Sequence, residues 1–231
     1  TTRSCAMRAG SGIQSANLTN ANHTMVATGL RADLYRANLS GLQLRYKALA
    51  SLNLRSANLT GADLSGSTLT GATLAGADLT NATVISATLT GANLTGANLT
   101  SINLASSNLS STNLAGAVLT NTTATSVNLT GADLTDADLT SADLTNATIS
   151  SATLLRTNLT DADLSSVTGT LATLTSVSAT GSSLAFANLT GSTLLHGSFA
   201  GANMLMAHFD TATITNTDFT NVTGPYTTWT S

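Results

Sequence analysis

Residues 57–66 read ANLTGADLSG, and residues 91–105 read GANLTGANLTSINLA. Leucine returns at every fifth position, a small residue stands two places before it, and a polar residue lies between them. Such a period fits neither an α-helix nor a heptad coil. Outward from these stretches the frame runs without a slip from Leu34 to Phe219, with Val84, Ala124, Ile149, Gly169, Ala179, Phe199, Met204, Phe209, Ile214 and Phe219 as the only centres that are not Leu. Alternation through the triplet turns the small residue (Ala57, Ala62, Ala72, Ala77) and Leu inward and the polar residue outward. The Gly, Ser or Asn that closes a pentad suits a tight turn with unusual φ. Self-similarity at a fixed period is the mark of a solenoid, in which each repeat buries its apolar side against its neighbours.

Composition agrees. Of the 231 residues, 8% are charged and 3% aromatic, Glu is absent and Pro occurs once. A core of Leu and Ala has little bulk, so it requires a narrow, regular interior. The net charge of −3 gives no electrostatic case for a nucleic-acid partner, and the basic residues (Arg3, Arg8, Arg31, Arg36, Arg45, Lys47, Arg55) precede residue 60 except for Arg156. No apolar run approaches the roughly 18 residues of a membrane span. One cysteine, Cys5, allows no internal disulfide.

These repeats resemble the pentapeptide-repeat family, whose motif A(D/N)LXX is matched almost literally from Ala32 to Phe219. The resemblance implies an all-β fold, a right-handed four-sided parallel β-solenoid in which four pentads make one coil. About ten coils are expected, with a hydrophobic C-terminal cap. The expected organisation is an N-terminal tail or cap over 1–12, an irregular first coil over 13–33, the repeat solenoid over 34–221 and a cap segment over 222–231. Ile13, Leu18 and His23 sit one register out of phase, so an extra residue is expected as a bulge before Leu34. Lys47 falls on an inward small position, where an unpaired ammonium is costly, and local distortion is expected at Arg45–Lys47. Near the end, Phe199, Met204, Phe209 and Phe219 are followed by Pro225, Tyr226 and Trp229. Solenoid ends need covering. That end is also where family members often build a dimer, so a homodimer could form there in addition.

With four pentads to a coil, residues 20 apart share a face. One face pairs Thr68 with Thr70, Thr88 with Thr90, Asn108 with Ser110, Asn128 with Thr130, Thr148 with Ser150, Thr168 with Thr170 and Asn188 with Thr190, and no charge falls among them. The opposite face carries a second column of Thr60, Thr80, Thr100, Thr120, Thr140, Thr160 and Thr180, and its first column admits Asp78 and Asp138. Thr suits extended backbone and packs on the next coil's Thr, which accounts for the residue type. A flat grid of short, stiff side chains spaced about 4.8 Å apart between coils can also order water. It resembles the Thr-x-Thr arrays of β-solenoid antifreeze proteins. The leading expectation for function is therefore ice binding, with ice or ordered water as the partner.

The alternative is a structural or protein-interaction scaffold that docks partners through exposed apolar residues such as Leu155, Leu171, Phe186, Leu195, Leu205 and Met206, several of them near the C-terminal end. The family's best-known role, mimicry of duplex DNA toward type II topoisomerases, needs a denser negative surface than 11 Asp against 8 basic residues supplies. No enzyme is expected: His23, His196 and His208 are scattered, and no catalytic constellation, metal-ligand set or cofactor pattern converges. The opening residues lack the apolar stretch of a signal peptide, which a mature secreted chain would have lost. Glycans at the Asn-Leu-Thr sequons Asn128 and Asn188 would obstruct the proposed ice face, so a prokaryotic, secreted or exported protein, or an unglycosylated recombinant one, is expected.

Overall fold

A computed structural model describes residues 33–229. The tail expected over 1–12, the irregular coil over 13–33 apart from Asp33, and the bulge before Leu34 lie outside the described residues. From there on, each residue preceding a centre bridges in parallel to the residue 20 further along: Asp33 to Asn53, Asn38 to Asn58, Gln43 to Asp63, Ala48 to Thr68, and so on up to His208 and Thr228. One circuit therefore takes four pentads and has four sides. We number them in chain order, with side 1 centred on Leu34, side 2 on Leu39, side 3 on Leu44 and side 4 on Leu49, each recurring every 20 residues.

The backbone repeats with the sequence. Leu59 N–H donates to the Asp78 carbonyl at 2.7 Å and Gly61 N–H to that of Thr80 at 2.9 Å, while Asn58 N–H donates back to Ala37 at 2.9 Å. Within the pentad, Ala62 N–H donates to the Leu59 carbonyl at 2.9 Å and closes a turn. The third residue of each such turn sits at left-handed φ: 64° at Gly61, 58° at Ser106 and 55° at Asn121. Gly and Asn tolerate that geometry best, and Ser recurs there too. Only β1 (Thr193–Leu195) and β2 (Thr213–Thr215), paired in parallel on side 1, are long enough to count as strands among the described residues. Elsewhere turns bound each short extended triplet on both flanks, so the pairing reduces to single rungs.

The interior is the Leu and Ala ladder expected from the pattern, buried from Leu34 onward. Each Leu taken from water stabilises the fold by about 1.5–3 kcal/mol. Where Thr or Ser replaces inward Ala, its hydroxyl can be satisfied by backbone: Thr112 donates to the Leu89 carbonyl at 3.0 Å and Thr157 to that of Leu134 at 2.7 Å. Gly169, the one glycine among the centres up to Phe219, leaves no void, because Leu189 Cδ2 would lie 2.6 Å and Ile149 Cγ1 3.0 Å from a Cβ built there. The ladder also passes through Arg45–Lys47 in register, with Tyr46 N–H on the Ser65 carbonyl and the Lys47 carbonyl accepting from Thr68, both at 2.9 Å. Lys47 is half-buried there, so its ammonium is not sealed in the core.

Toward the C-terminal end the interior changes to rings. Phe199 stacks on Phe219 (centroids 5.5 Å apart, planes at 18°), and Phe209 stacks on Trp229 (4.5 Å, 6°). The two stacks come from opposite sides 2 and 4 and meet edge to face, Phe219 against Trp229 at 5.3 Å. The last rungs, Asn203–Thr223 and His208–Thr228, tie the segment expected as a cap to the coil before it.

Candidate functional site: two threonine sides and an apolar corner

Side 4 carries the proposed ice array, and its first column is stacked as the spacing requires: Thr68 bridges Thr88, and the column continues through Asn108, Asn128, Thr148, Thr168 and Asn188 to His208. Its asparagines are occupied. The Oδ1 atoms of Asn108, Asn128 and Asn188 accept from the amides two residues on, in Ser110, Thr130 and Thr190, at 3.0–3.1 Å. The second column begins at Thr70, which is exposed beside an exposed Thr68 and whose carbonyl accepts from Ser51 N–H at 2.9 Å. The column is not uniformly open, however. Thr130, Ser150 and Thr190 are only half-exposed, and the Thr190 hydroxyl donates to Asn188 Oδ1 at 2.7 Å. Ser150 and Thr170 hydroxyls lie 3.0 Å apart and those of Thr90 and Ser110 3.4 Å apart. Thr68, Thr70 and, near the far end, Thr168 therefore stand more freely in solvent than the other members of the array, which are half-exposed, a difference that the residue types do not reveal. The array ends where His208 and Asp210 follow Asn188 and Thr190.

Side 2 explains its own unbroken threonine column. The hydroxyls of Thr60, Thr80, Thr100, Thr140 and Thr160 donate at 2.6–2.7 Å to the Oδ1 atoms of Asn58, Asp78, Asn98, Asp138 and Asn158. Each of those oxygens also takes the threonine's own amide, at 3.0–3.1 Å. Asn or Asp followed two residues later by Thr is thus a local device that holds the extended triplet before its turn. Val118 offers no such oxygen, and Thr120 turns instead to the Thr100 hydroxyl on the adjoining coil at 3.3 Å. Thr180, which follows Ser178, likewise lies 3.4 Å from the Ser198 hydroxyl one coil on.

The feature that spacing arguments about flat faces miss lies on the corner between sides 3 and 4. There the left-handed turn residue is Gly66, Ser86, Ser106, Ser126, Asn146 and Ser166 on successive coils, then Phe186, Met206 and Tyr226. These three are 52%, 43% and 79% exposed. The residue before each is apolar as well: Ala185, Leu205 and Pro225. Large side chains at positive φ run against backbone preference. Two other large corner residues, Tyr46 one coil before Gly66 on this same corner and Leu171 on the next corner, are exposed too (75% and 66%), but each stands alone over a glycine. The Tyr46 ring covers Gly66 on the next coil, within 2.5 Å of where a Cβ would stand, and Leu171 covers Gly191 at 2.9 Å. Phe186 and Met206 are each followed one coil on by another large residue, so the three form a continuous ridge. Phe186 and Met206 were apparent in the sequence as exposed apolar residues. Tyr226 and the shared corner were not, although counting by 20 along the turn position finds both.

Charge is segregated along the rod. Arg36 lies over Tyr35 at 5.8 Å and Arg45 over Tyr46 at 5.6 Å near the N-terminal end of the described residues. Farther on, Arg156 makes a two-pronged contact with Asp136 one coil away, both N···O distances being 2.6 Å. The Arg156 hydrogen bond holds the Asp136 carboxyl below the usual range and raises the guanidinium in return. His208 Nδ1 lies 2.9 Å from the Thr228 hydroxyl and 3.9 Å from Asp210. Among the described residues, no three His, Cys, Asp or Glu side chains gather as a metal site would need.

A coil of four pentads, a Leu and Ala lumen and stacked polar sides define a pentapeptide-repeat solenoid. The family model for pentapeptide repeats matches residues 49–84, 85–121, 102–140 and 128–165, which together span just over half of the chain. The chain belongs to the pentapeptide-repeat family, whose members fold as right-handed quadrilateral β-solenoids. Among solved structures it is similar to HetL, a pentapeptide repeat protein involved in heterocyst differentiation regulation from the cyanobacterium Nostoc sp. strain PCC 7120. The two are 26% identical, with 91% of this chain and 88% of HetL covered and a TM-score of 0.53. It is also similar to a trypsin-treated form of QnrB1, a plasmid-mediated fluoroquinolone resistance protein, at 20% identity over 80% of this chain and 88% of that one, with a TM-score of 0.48. No curated protein sequence matches.

Proposed function

We propose that this chain is a non-enzymatic interaction scaffold that docks a partner protein through the corner ridge of Phe186, Met206 and Tyr226. The observation that carries this reading is the abrupt change at one corner, from small residues on six successive coils to three large apolar ones at left-handed φ. Residues that break a local backbone rule without a local gain point to a function outside the fold. The regulatory role of HetL is one that a binding surface without chemistry would serve. The solenoid we envisage has about ten coils, and the Phe209–Trp229 and Phe199–Phe219 stacks close its C-terminal end so that the ridge sits on a rigid terminus. The test is affinity capture from the organism of origin with the wild type and with Phe186→Ser/Met206→Ser/Tyr226→Ser. A specific protein retained by the wild type and reduced about tenfold or more by the variant is expected. Equal retention by both would remove the ridge from the account.

A second reading, ice binding by an exported protein, is favoured by one observation: side 4 keeps short Thr, Asn and Ser side chains from Thr68 and Thr70 to Thr190 with no charge. Side 2 offers less, because most of its hydroxyls are turned onto neighbouring carboxylate or amide oxygens. A seed ice crystal held in the protein solution would become faceted and stop growing between its melting and growth temperatures, and Thr130→Tyr would abolish this while a bulky change at Asp143 would not. Free growth as a rounded disc would end the ice reading.

A further inference from the structure

We infer that the element received by the corner ridge is an amphipathic α-helix of the partner, lying along the solenoid axis. This rests on the scaffold reading and adds the shape of what is bound. Phe186 N–H donates to the Leu205 carbonyl at 2.7 Å and Met206 N–H to that of Pro225 at 3.1 Å, so the ladder itself fixes the three ridge residues one rung apart. A rung is about 4.8 Å. An α-helix presents side chains on one face every turn, about 5.4 Å, and an extended strand presents them every second residue, about 6.8 Å. Over the two intervals of the ridge a helix falls out of step by only about 1.2 Å, which a flexible Met at the centre absorbs, whereas a strand slips by about 4 Å, almost a full rung.

A second copy of this chain would match the pitch, but the area is too small. Taking about 200 Å² for each full side chain, the exposed parts of Phe186, Met206 and Tyr226 amount to on the order of 350 Å², against about 800 Å² per partner in a stable interface, so the ridge alone supports no stable dimer and suits a small element held weakly and transiently. Three anchors suit a single helix with apolar residues at i, i+3 or i+4, and i+7. The flanks of the ridge, Asn188, Thr228, Asn203 and Thr223, are uncharged, with His208 between the first two, so binding should respond little to salt.

The experiment is a display selection on the purified chain with two peptide libraries, one built on a helical scaffold and one on an extended, β-branched scaffold. Counter-selection uses Phe186→Ser/Met206→Ser/Tyr226→Ser. Serine already occupies this corner at Ser86, Ser106, Ser126 and Ser166 with φ of 52–58°, so the variant keeps the backbone. The expected result is ridge-dependent binders from the helical library, apolar at i, i+4 and i+7, whose synthetic peptides gain helicity on binding and lose affinity about tenfold on the variant. Ridge-dependent binders from the extended library alone would overturn the helix and leave the scaffold standing. A concentration-dependent dimer, seen by sedimentation and abolished in the variant, would assign the ridge to a second copy and also overturn the helix. No ridge-dependent binder and no such dimer would overturn both.

Discussion

The middle of the rod and its C-terminal end use the same backbone frame to different purposes. In the coil around Leu99, from Leu89 to Leu104, the centres are Leu, the inward partners Ala or Ile102, and the turn residues Gly or Ser, so no large apolar side chain is exposed there. In the last coils the centres include Phe199, Met204, Phe209, Phe219 and Trp229, and the turn residues on one corner are Phe186, Met206 and Tyr226. The rung pattern and the left-handed turns are the same in both. What differs is side-chain volume, both in the lumen and on one outer corner. A repeat therefore separates the problem of folding, solved identically in every pentad, from the problem of surface, which each coil can solve for itself.

The contrast predicts different responses to truncation. Leu99→Ala, in the middle, should cost about 2–5 kcal/mol and lower the urea midpoint of the whole ladder, since coils on both sides lose their neighbour. Phe209→Ala should cost about 3–5 kcal/mol locally, and amide exchange should accelerate after about residue 190 while residues 60–160 keep their protection. Equal spread of the two effects would mean that end and middle form one unit. Next in size, Ser106→Phe, which moves a bulky side chain to the middle of the same corner, should change stability by less than about 1 kcal/mol in thermal melts and gain no binding to a peptide that needs three anchors. The smallest effect concerns the exposed Asp136–Arg156 clasp. Its folded-state carboxyl is lowered, so the contribution is present above the ordinary carboxylate value of about 3.9 and is lost as pH falls through the lowered one. Arg156→Ala should match the wild type in strong acid and lie marginally below it at neutral pH.

The fold was legible because period, alternation and turn chemistry all say the same thing: Leu at every fifth position, Ala two before it, Gly or Ser two after. The stacking of Thr68 on Thr88 and of Asn128 on Thr148 followed from counting by 20. Two things lay beyond that arithmetic. The side 2 threonines look like a free array until their hydroxyls are seen on Asn58, Asp78 and Asp138, because a sequence shows residue type and not the direction of a hydrogen bond. Thr70 and Thr190 likewise look equivalent on side 4, yet only the second follows an Asn that takes its hydroxyl. The ridge escaped because the sides were sorted by the residues flanking each centre, whereas Tyr226 and its partners occupy the turn, where a large side chain at positive φ is the exception that backbone sterics teach one not to expect.

The 20-residue register also governs what insertions and deletions do. Removing a single pentad between Thr190 and Met206 would leave every hydrogen-bonded rung available but rotate all that follows by a quarter-circuit. Met206 and Tyr226 would then stand on the corner between sides 2 and 3, away from Phe186, while the Leu and Ala lumen stayed filled. Only whole-coil changes, 20 residues at a time, lengthen or shorten the rod without scrambling its outer map. A chain of this kind can thus stay folded through a mutation that completely rewrites which of its residues are neighbours on the surface.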